Sequence, residues 1–238
     1  MTARRAHMTA RLAFPTLLAA AIFLLSLGMT AMAGEPSPPA RATKAMIAAA
    51  NPLAAGAGRD ILAAGGSAID AAIAAQMVLG LVEPQSSGIG GGGFLLHYNA
   101  VTGAIESFDG REVAPAAADG DLFRKENGEL MSWPEAASGG LSVGVPGLLR
   151  MLELAHRKHG RLPWARLFEP AIRLADEGFI VSPRMAQSIA GNGDLADFPA
   201  ARAYFFDGGA PLEAGARLRN PAYAATLRTI AAGGADAF

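Results

Sequence analysis

The chain has 238 residues, 51% hydrophobic and 17% charged, with 20 Lys+Arg against 21 Asp+Glu for a net charge of −1. A chain this apolar can offset the entropy of ordering itself, which excludes a disordered tail, and its neutral balance argues against a nucleic-acid partner. With 0 cysteines, a disulfide scaffold, a thiol nucleophile and thiolate-held zinc are excluded, and the 29 glycines keep no collagen period.

Arg4, Arg5 and Arg11 precede an uncharged run from Leu17 to Thr30, and Ala31-Met32-Ala33 follows just before Gly34. This is the three-part layout of a secretory signal peptide over residues 1–33. The whole uncharged stretch from Leu12 to Gly34 is also long enough to span a bilayer, so an uncleaved anchor over 12–34 is the alternative. Either reading puts the working region, residues 34–238, outside the cytoplasmic membrane, periplasmic or secreted.

Residues Glu35 to Arg41 read as linker and Ala45 to Ala50 as a first short element. Asn51-Pro52 offers a cap and a first helical position for a helix from Leu53 to about Ala64, stopped at Gly65-Gly66. Ser67 caps a second helix from Ala68 to Leu79, so rich in alanine that burial on more than one side is expected. Asp70, three residues in, answers the unpaired amides of that helix start or acts directly in function.

From Glu83 the chain reads Glu-Pro-Gln-Ser-Ser-Gly-Ile-Gly-Gly-Gly-Gly, ending at Gly93, the sharpest local feature of the sequence. Four glycines in a row, Gly90, Gly91, Gly92 and Gly93, suit turns, left-handed backbone or a place where something packs on bare backbone. A line of amides beside an anion is the functional reading, and a tight crossing under a sheet the structural one. A dinucleotide loop should follow a strand and open a helix, whereas this run precedes strand-like sequence, and no Lys-Ser or Lys-Thr closes it as in a phosphate loop.

Phe94 to Tyr98 and Ala104 to Phe108 read as an antiparallel hairpin around a turn at residues 100–103. His97 reads as a satisfied sheet histidine. Asp109-Gly110-Arg111-Glu112 comes straight off the second strand, where side chains can be held rigidly over a site. Arg111 stands out because a guanidinium forks onto a carboxylate in two parallel bonds; its alternative is an ion pair with Glu112 or Asp109 that fixes the loop.

Asp119 to Pro134 reads as an exposed excursion. Pro146 opens a helix bearing Leu148, Leu152 and Ala155 and stopped by Gly160. Another lies within Pro163 to Gly178, the next is capped by Ser182, and the last runs from Asn220-Pro221 to Gly233-Gly234. Glu153, His156 and His159 fall near one face, but such positions are commonly solvated, and neither a metal nor a cofactor is expected. The elements predict a mixed α/β fold of helices and an antiparallel hairpin.

Taken in series, residues 51–75, 81–98, 108–115, 142–147, 162–182 and 218–234 resemble the N-terminal part of the large subunit of the γ-glutamyltransferases, or glutathione hydrolases. The resemblance implies an N-terminal-nucleophile hydrolase, a four-layer αββα sandwich that is incomplete here, so that residues 34–238 form a partial large-subunit domain. It implies a precursor that cuts itself into two subunits. The small subunit's new N-terminal threonine attacks γ-glutamyl compounds such as glutathione, with its own amine as base and an oxyanion hole. Water or an amino acid or peptide acceptor then releases the acyl group.

By the same resemblance Arg111 binds the α-carboxylate of the γ-glutamyl group, while Glu112, Asp109 and the glycines 90–93 are possible supports. Ser67 and Ala222-Tyr223 depart from the family pattern in ways that affect capping and packing at most. The sequence holds no Thr-Thr pair, so the nucleophile is expected from a region absent here and the chain alone is expected to be inactive. Two alternatives stand: an acylase of the same fold taking glutaryl β-lactam side chains, and a non-catalytic exported binding protein or decayed fragment.

Overall fold

The computed structural model describes residues 39–238, so the expected signal peptide, residues 1–33, lies outside the described residues. Residues Lys44–Phe238 form one compact unit, and residues 39–43 before it carry no helix or strand. Among the described residues no helix is long and apolar enough to cross a membrane.

This unit opens without regular structure over residues 45–50, where a short element was expected. Helix α1, Pro52–Ala63, starts where Asn51 accepts a hydrogen bond from the Leu53 amide at 3.0 Å. Helix α2, Ala68–Val82, starts with a reciprocal cap. Ser67 Oγ accepts from the Asp70 amide at 3.1 Å, and Asp70 Oδ2 accepts from the Ser67 amide at 2.8 Å. It continues past the expected end at Leu79 to Val82, and the Tyr223 hydroxyl donates to the Met77 carbonyl at 2.9 Å beside Gly80, where a Cβ would meet that hydroxyl. Alanines let α1 approach closely, and Ile73, Met77 and Val78 of α2 are wholly buried.

Strands β1, Phe94–Tyr98, and β2, Ile105–Asp109, pair antiparallel with Phe94 opposite Asp109 and Tyr98 opposite Ile105. Alternation sends Leu95, His97, Glu106 and Phe108 to an inner face and Phe94, Leu96, Tyr98 and Ile105 outward, where these four are 63–74% exposed. Residues 119–134 form the expected exposed excursion, and a short helix, α3, Trp133–Ala137, follows on a Ser132–Glu135 capping box.

Helix α4, Leu148–His159, packs on α2 and β2 through Leu148, Met151, Leu152 and Ala155. Its last turn is basic, which suits the negative end of a helix. The helix expected within 163–178 is split into a 3₁₀ turn at Trp164–Leu167 and α5 at Glu169–Glu177. Pro170 has no amide with which to carry an α-helical ladder across the junction. Gly178 ends α5 at φ 93°, a left-handed position that favours glycine.

Helices α6, Pro183–Gly191, and α7, Pro199–Phe205, flank a second 3₁₀ turn, and α8, Pro221–Gly233, starts where Asn220 accepts from the Tyr223 amide at 2.9 Å. Two-residue strands form two more antiparallel pairs. They are β3 (Phe179–Ile180) with β6 (Arg217–Leu218), and β4 (Phe206–Asp207) with β5 (Ala210–Pro211). One core runs through α2, α4, α5 and α8, with Phe168, Ala171, Leu227 and Ile230 at zero exposure. The Phe, Leu and Ile side chains among these each stabilise the fold by about 1.5–3 kcal/mol.

Candidate functional site

Three stretches of bare backbone meet where β2 ends. Asp109 Oδ1 accepts from the Arg111 amide at 2.9 Å and turns the chain off the strand. Gly93 and Gly110 exchange backbone bonds of 3.2 and 3.0 Å, carrying the ladder one pair further. A Cβ on Gly92 would lie 2.5 Å from the Gly110 carbonyl oxygen and 2.8 Å from Arg111 Cα, and a Cβ on Gly147 would lie 2.6 Å from that same oxygen. Val113 and Val145 pair at 3.3 and 2.8 Å, and the Leu148 amide donates to the Gly91 carbonyl at 3.2 Å.

The Arg111 loop is thus clamped between the glycine run on one side and residues 144–147 on the other. None of Gly90 to Gly93 takes a positive φ. The left-handed option for this run is corrected: close backbone approach explains Gly92, while Gly90 has open space around it.

Arg111 and the run share one cleft of about 640 Å³, which Gln76, Ser86, Ser87, Gly91, Gly92, Gly93, Glu112 and Leu148 also line. The Arg111 side chain is 57% exposed, and one of its terminal nitrogens lies 3.3 Å from Glu112 Oε2. An adjacent, half-exposed pair of this kind contributes little stability, and the rest of the guanidinium stays open to the cleft. The ion-pair option for Arg111 is present, and the same residue lines the cleft. Among the described residues the amides of Gly91 and Gly92, which line the cleft, donate to no protein acceptor.

Glu83 begins the run that stands out in the sequence, but its contacts were not anticipated. Glu83, 2% exposed, closes α2 and takes hydrogen bonds from Asn51 Nδ2 at 3.0 Å and Gln85 Nε2 at 2.6 Å, with Arg184 Nε 3.5 Å away. Its carbonyl accepts from both Ser86 and Ser87 amides at 3.0 Å. Gln76 donates to Ser87 Oγ at 2.7 Å, and Arg184 to Ser86 Oγ at 3.3 Å. A buried charge is expensive unless paired, so Glu83 commits the start of the run to one position. The available signal was an acid placed just before proline at a helix end.

The other candidates separate. Asp70 is fully buried, and its Oδ2 also accepts from the Arg161 and Leu162 amides at 2.9 and 3.1 Å, which makes it a tie between α2 and the loop after α4. Glu153, His156 and His159 do not converge. Glu153 meets Arg157 at 2.9 Å, His156 Nε2 meets the Leu162 carbonyl at 2.9 Å, and His159 faces β2. Their side chains are only 13%, 16% and 17% exposed, so the expectation of solvated positions is corrected. The buried faces of α4 and its neighbours set this, and spacing along the helix does not reveal it. His97 is corrected too, because its Nδ1 is buried without a hydrogen-bond partner.

Residues 54–238 match the γ-glutamyltranspeptidase family, and the chain belongs to it. It is similar to the glutathione hydrolase proenzyme of Bacillus subtilis strain 168, 42% identical over 193 residues, 81% of this chain and 33% of that protein. It is similar also to the acylase ACY 1 proenzyme of Pseudomonas sp. strain SE83, 39% identical over 205 residues, 84% of this chain and 37% of that protein. The crystal structure of Helicobacter pylori γ-glutamyltranspeptidase superposes with a TM-score of 0.79 at 32% identity, covering 84% of this chain and 58% of that one. The chain has the fold of these N-terminal-nucleophile hydrolases over the part it shares with them, and spans about a third of the curated relatives it matches.

Proposed function

We propose that the chain forms the carboxylate-binding part of a γ-glutamyl hydrolase and transferase that acts on glutathione and related γ-glutamyl compounds. The observation that carries this reading is Arg111, clamped by Gly92 and Gly147 and facing the cleft that the glycine run lines. Its free guanidinium nitrogens grip the α-carboxylate of the glutamyl group and hold the γ-amide in one orientation.

The nucleophile in this reading is an N-terminal threonine from the part of a common precursor that this chain does not match. Its hydroxyl oxygen attacks the γ-carbonyl and its α-amine takes the hydroxyl proton. The peptide amine leaves with a proton, and water or an amine acceptor cleaves the resulting ester. The partner subunit packs on the outer face of the hairpin, where Phe94, Leu96, Tyr98 and Ile105 are exposed. Export by residues 1–33 places this activity in the periplasm or outside the cell.

The acylase reading is kept alive by one observation, the 39% identity to the ACY 1 proenzyme against 42% to the glutathione hydrolase. One experiment tests both. Residues 34–238 are joined to the remaining two thirds of the B. subtilis proenzyme, and anilide release is followed from γ-glutamyl and glutaryl anilides. The expected outcome is turnover of the γ-glutamyl anilide, with kcat/KM falling about 100-fold or more in Arg111→Lys, because a single ammonium cannot reproduce the fork. The chain alone gives no turnover. Preference for the glutaryl anilide selects the acylase, and an Arg111→Lys chimera of full activity removes Arg111 from the site.

A further inference from the structure

The hairpin sets His97 directly opposite Glu106 in the ladder, both on its inner face. The last residue of α4, His159, lies against them. Its ring stacks on that of His97 with centroids 3.9 Å apart, and its Nε2 is 3.2 Å from Glu106 Oε1. One donor atom from each of the three falls within 4.8 Å of the others. Two of the ring nitrogens, His97 Nδ1 and His159 Nε2, are buried without a hydrogen-bond partner. Buried polar atoms are nearly always paired, so a partnerless His97 Nδ1 beside a His159 Nε2 whose one polar contact is the Glu106 carboxylate is a chemically specific combination.

We propose that His97, Glu106 and His159 bind a zinc ion through two imidazole nitrogens and one carboxylate oxygen. This donor set suits zinc and its transition-metal neighbours, whereas magnesium and calcium take oxygen ligands. Coordination at about 2.0–2.2 Å requires the three side chains to draw in and the stacked rings to rotate toward a common point. The competing cation is Lys158, whose Nζ lies 3.0 Å from Glu106 Oε2 and 5.4 Å from the centre of the Phe108 ring. The ion displaces that ammonium from Glu106.

The site borders the cleft without sharing a residue with it: none of His97, Glu106 and His159 lines the cleft, whose nearest lining residues are Leu96, next to His97, and Leu152, seven residues before His159 on α4. Its role is structural, tying the end of α4 to the strand that leads to Arg111, and it does not depend on the proposed activity.

The test titrates the metal-stripped 238-residue chain with Zn²⁺ against a chromophoric chelator near neutral pH, and with Co²⁺ for its visible spectrum. One equivalent of zinc and an intense low-symmetry cobalt spectrum are expected. His97→Gln and His159→Gln each weaken binding at least about tenfold. Lys158→Gln, which removes no ligand, tightens it several-fold, an effect that lost folding cannot imitate; circular dichroism checks helix content in every variant. No zinc uptake by the parent chain overturns the proposal. So does binding that His97→Gln and His159→Gln leave unchanged, or that Lys158→Gln fails to strengthen.

Discussion

Arg111 owes its position to what its neighbours lack. Gly92 and Gly147 carry no Cβ where one would strike the backbone of residues 110–112, whereas Gly90, in the same run, faces open space. The four glycines therefore predict unequal responses. Gly92→Ala is expected to destabilise by about 1–3 kcal/mol, since all the atoms its methyl meets are backbone and cannot swing aside. Gly90→Ala is expected to stay within about 0.5 kcal/mol of the parent. Urea midpoints at unchanged slope measure both, and equal losses at the two positions would contradict the close-approach account. The Asp-Gly-Arg sequence leaving a strand made Arg111 legible as a candidate. Which glycine matters was not legible, because that depends on a segment eighteen residues further along the chain.

Helix ends carried the clearest local signals. Asn51, Ser67, Ser182 and Asn220 each accept the amide their position calls for. Asp70 does more than its place in the helix foretells, because its buried Oδ2 also takes two amides from the loop after α4. Ser67→Ala should therefore cost about 1 kcal/mol, the usual loss of a cap. Asp70→Ala should cost about 3 kcal/mol, since three part-buried amides lose their shared buried acceptor together. Thermal midpoints rank the two. Amide exchange adds a sharper check, rising at Arg161 and Leu162 only in Asp70→Ala. The two-residue strands β3 to β6 gave no signal in the sequence, since runs that short show no alternation to read.

At the scale of the molecule, the hairpin is covered on its inner face and bare on its outer one. Phe94, Leu96, Tyr98 and Ile105 together expose an apolar patch beside the cleft, and such a patch tends to find a partner. The chain by itself is expected to self-associate through this face. Leu96→Glu with Ile105→Lys should shift sedimentation velocity toward the monomer while circular dichroism stays unchanged. An unaltered profile would exonerate the hairpin and direct attention to other exposed surfaces.

Local chemistry accounts for what the sequence determined alone. The caps, the hairpin, the glycine run and the arginine leaving β2 each depend on residues a few positions apart, and their order along the chain was enough to identify the family. The tertiary structure decided which remote groups meet: Gly92 with Gly110, Asp70 with Arg161 and Leu162, and His97 and Glu106 with His159. Periodicity specifies which face a side chain takes on its own helix or strand. The partner waiting opposite that face follows from how the elements pack around a shared core, a property of the whole chain.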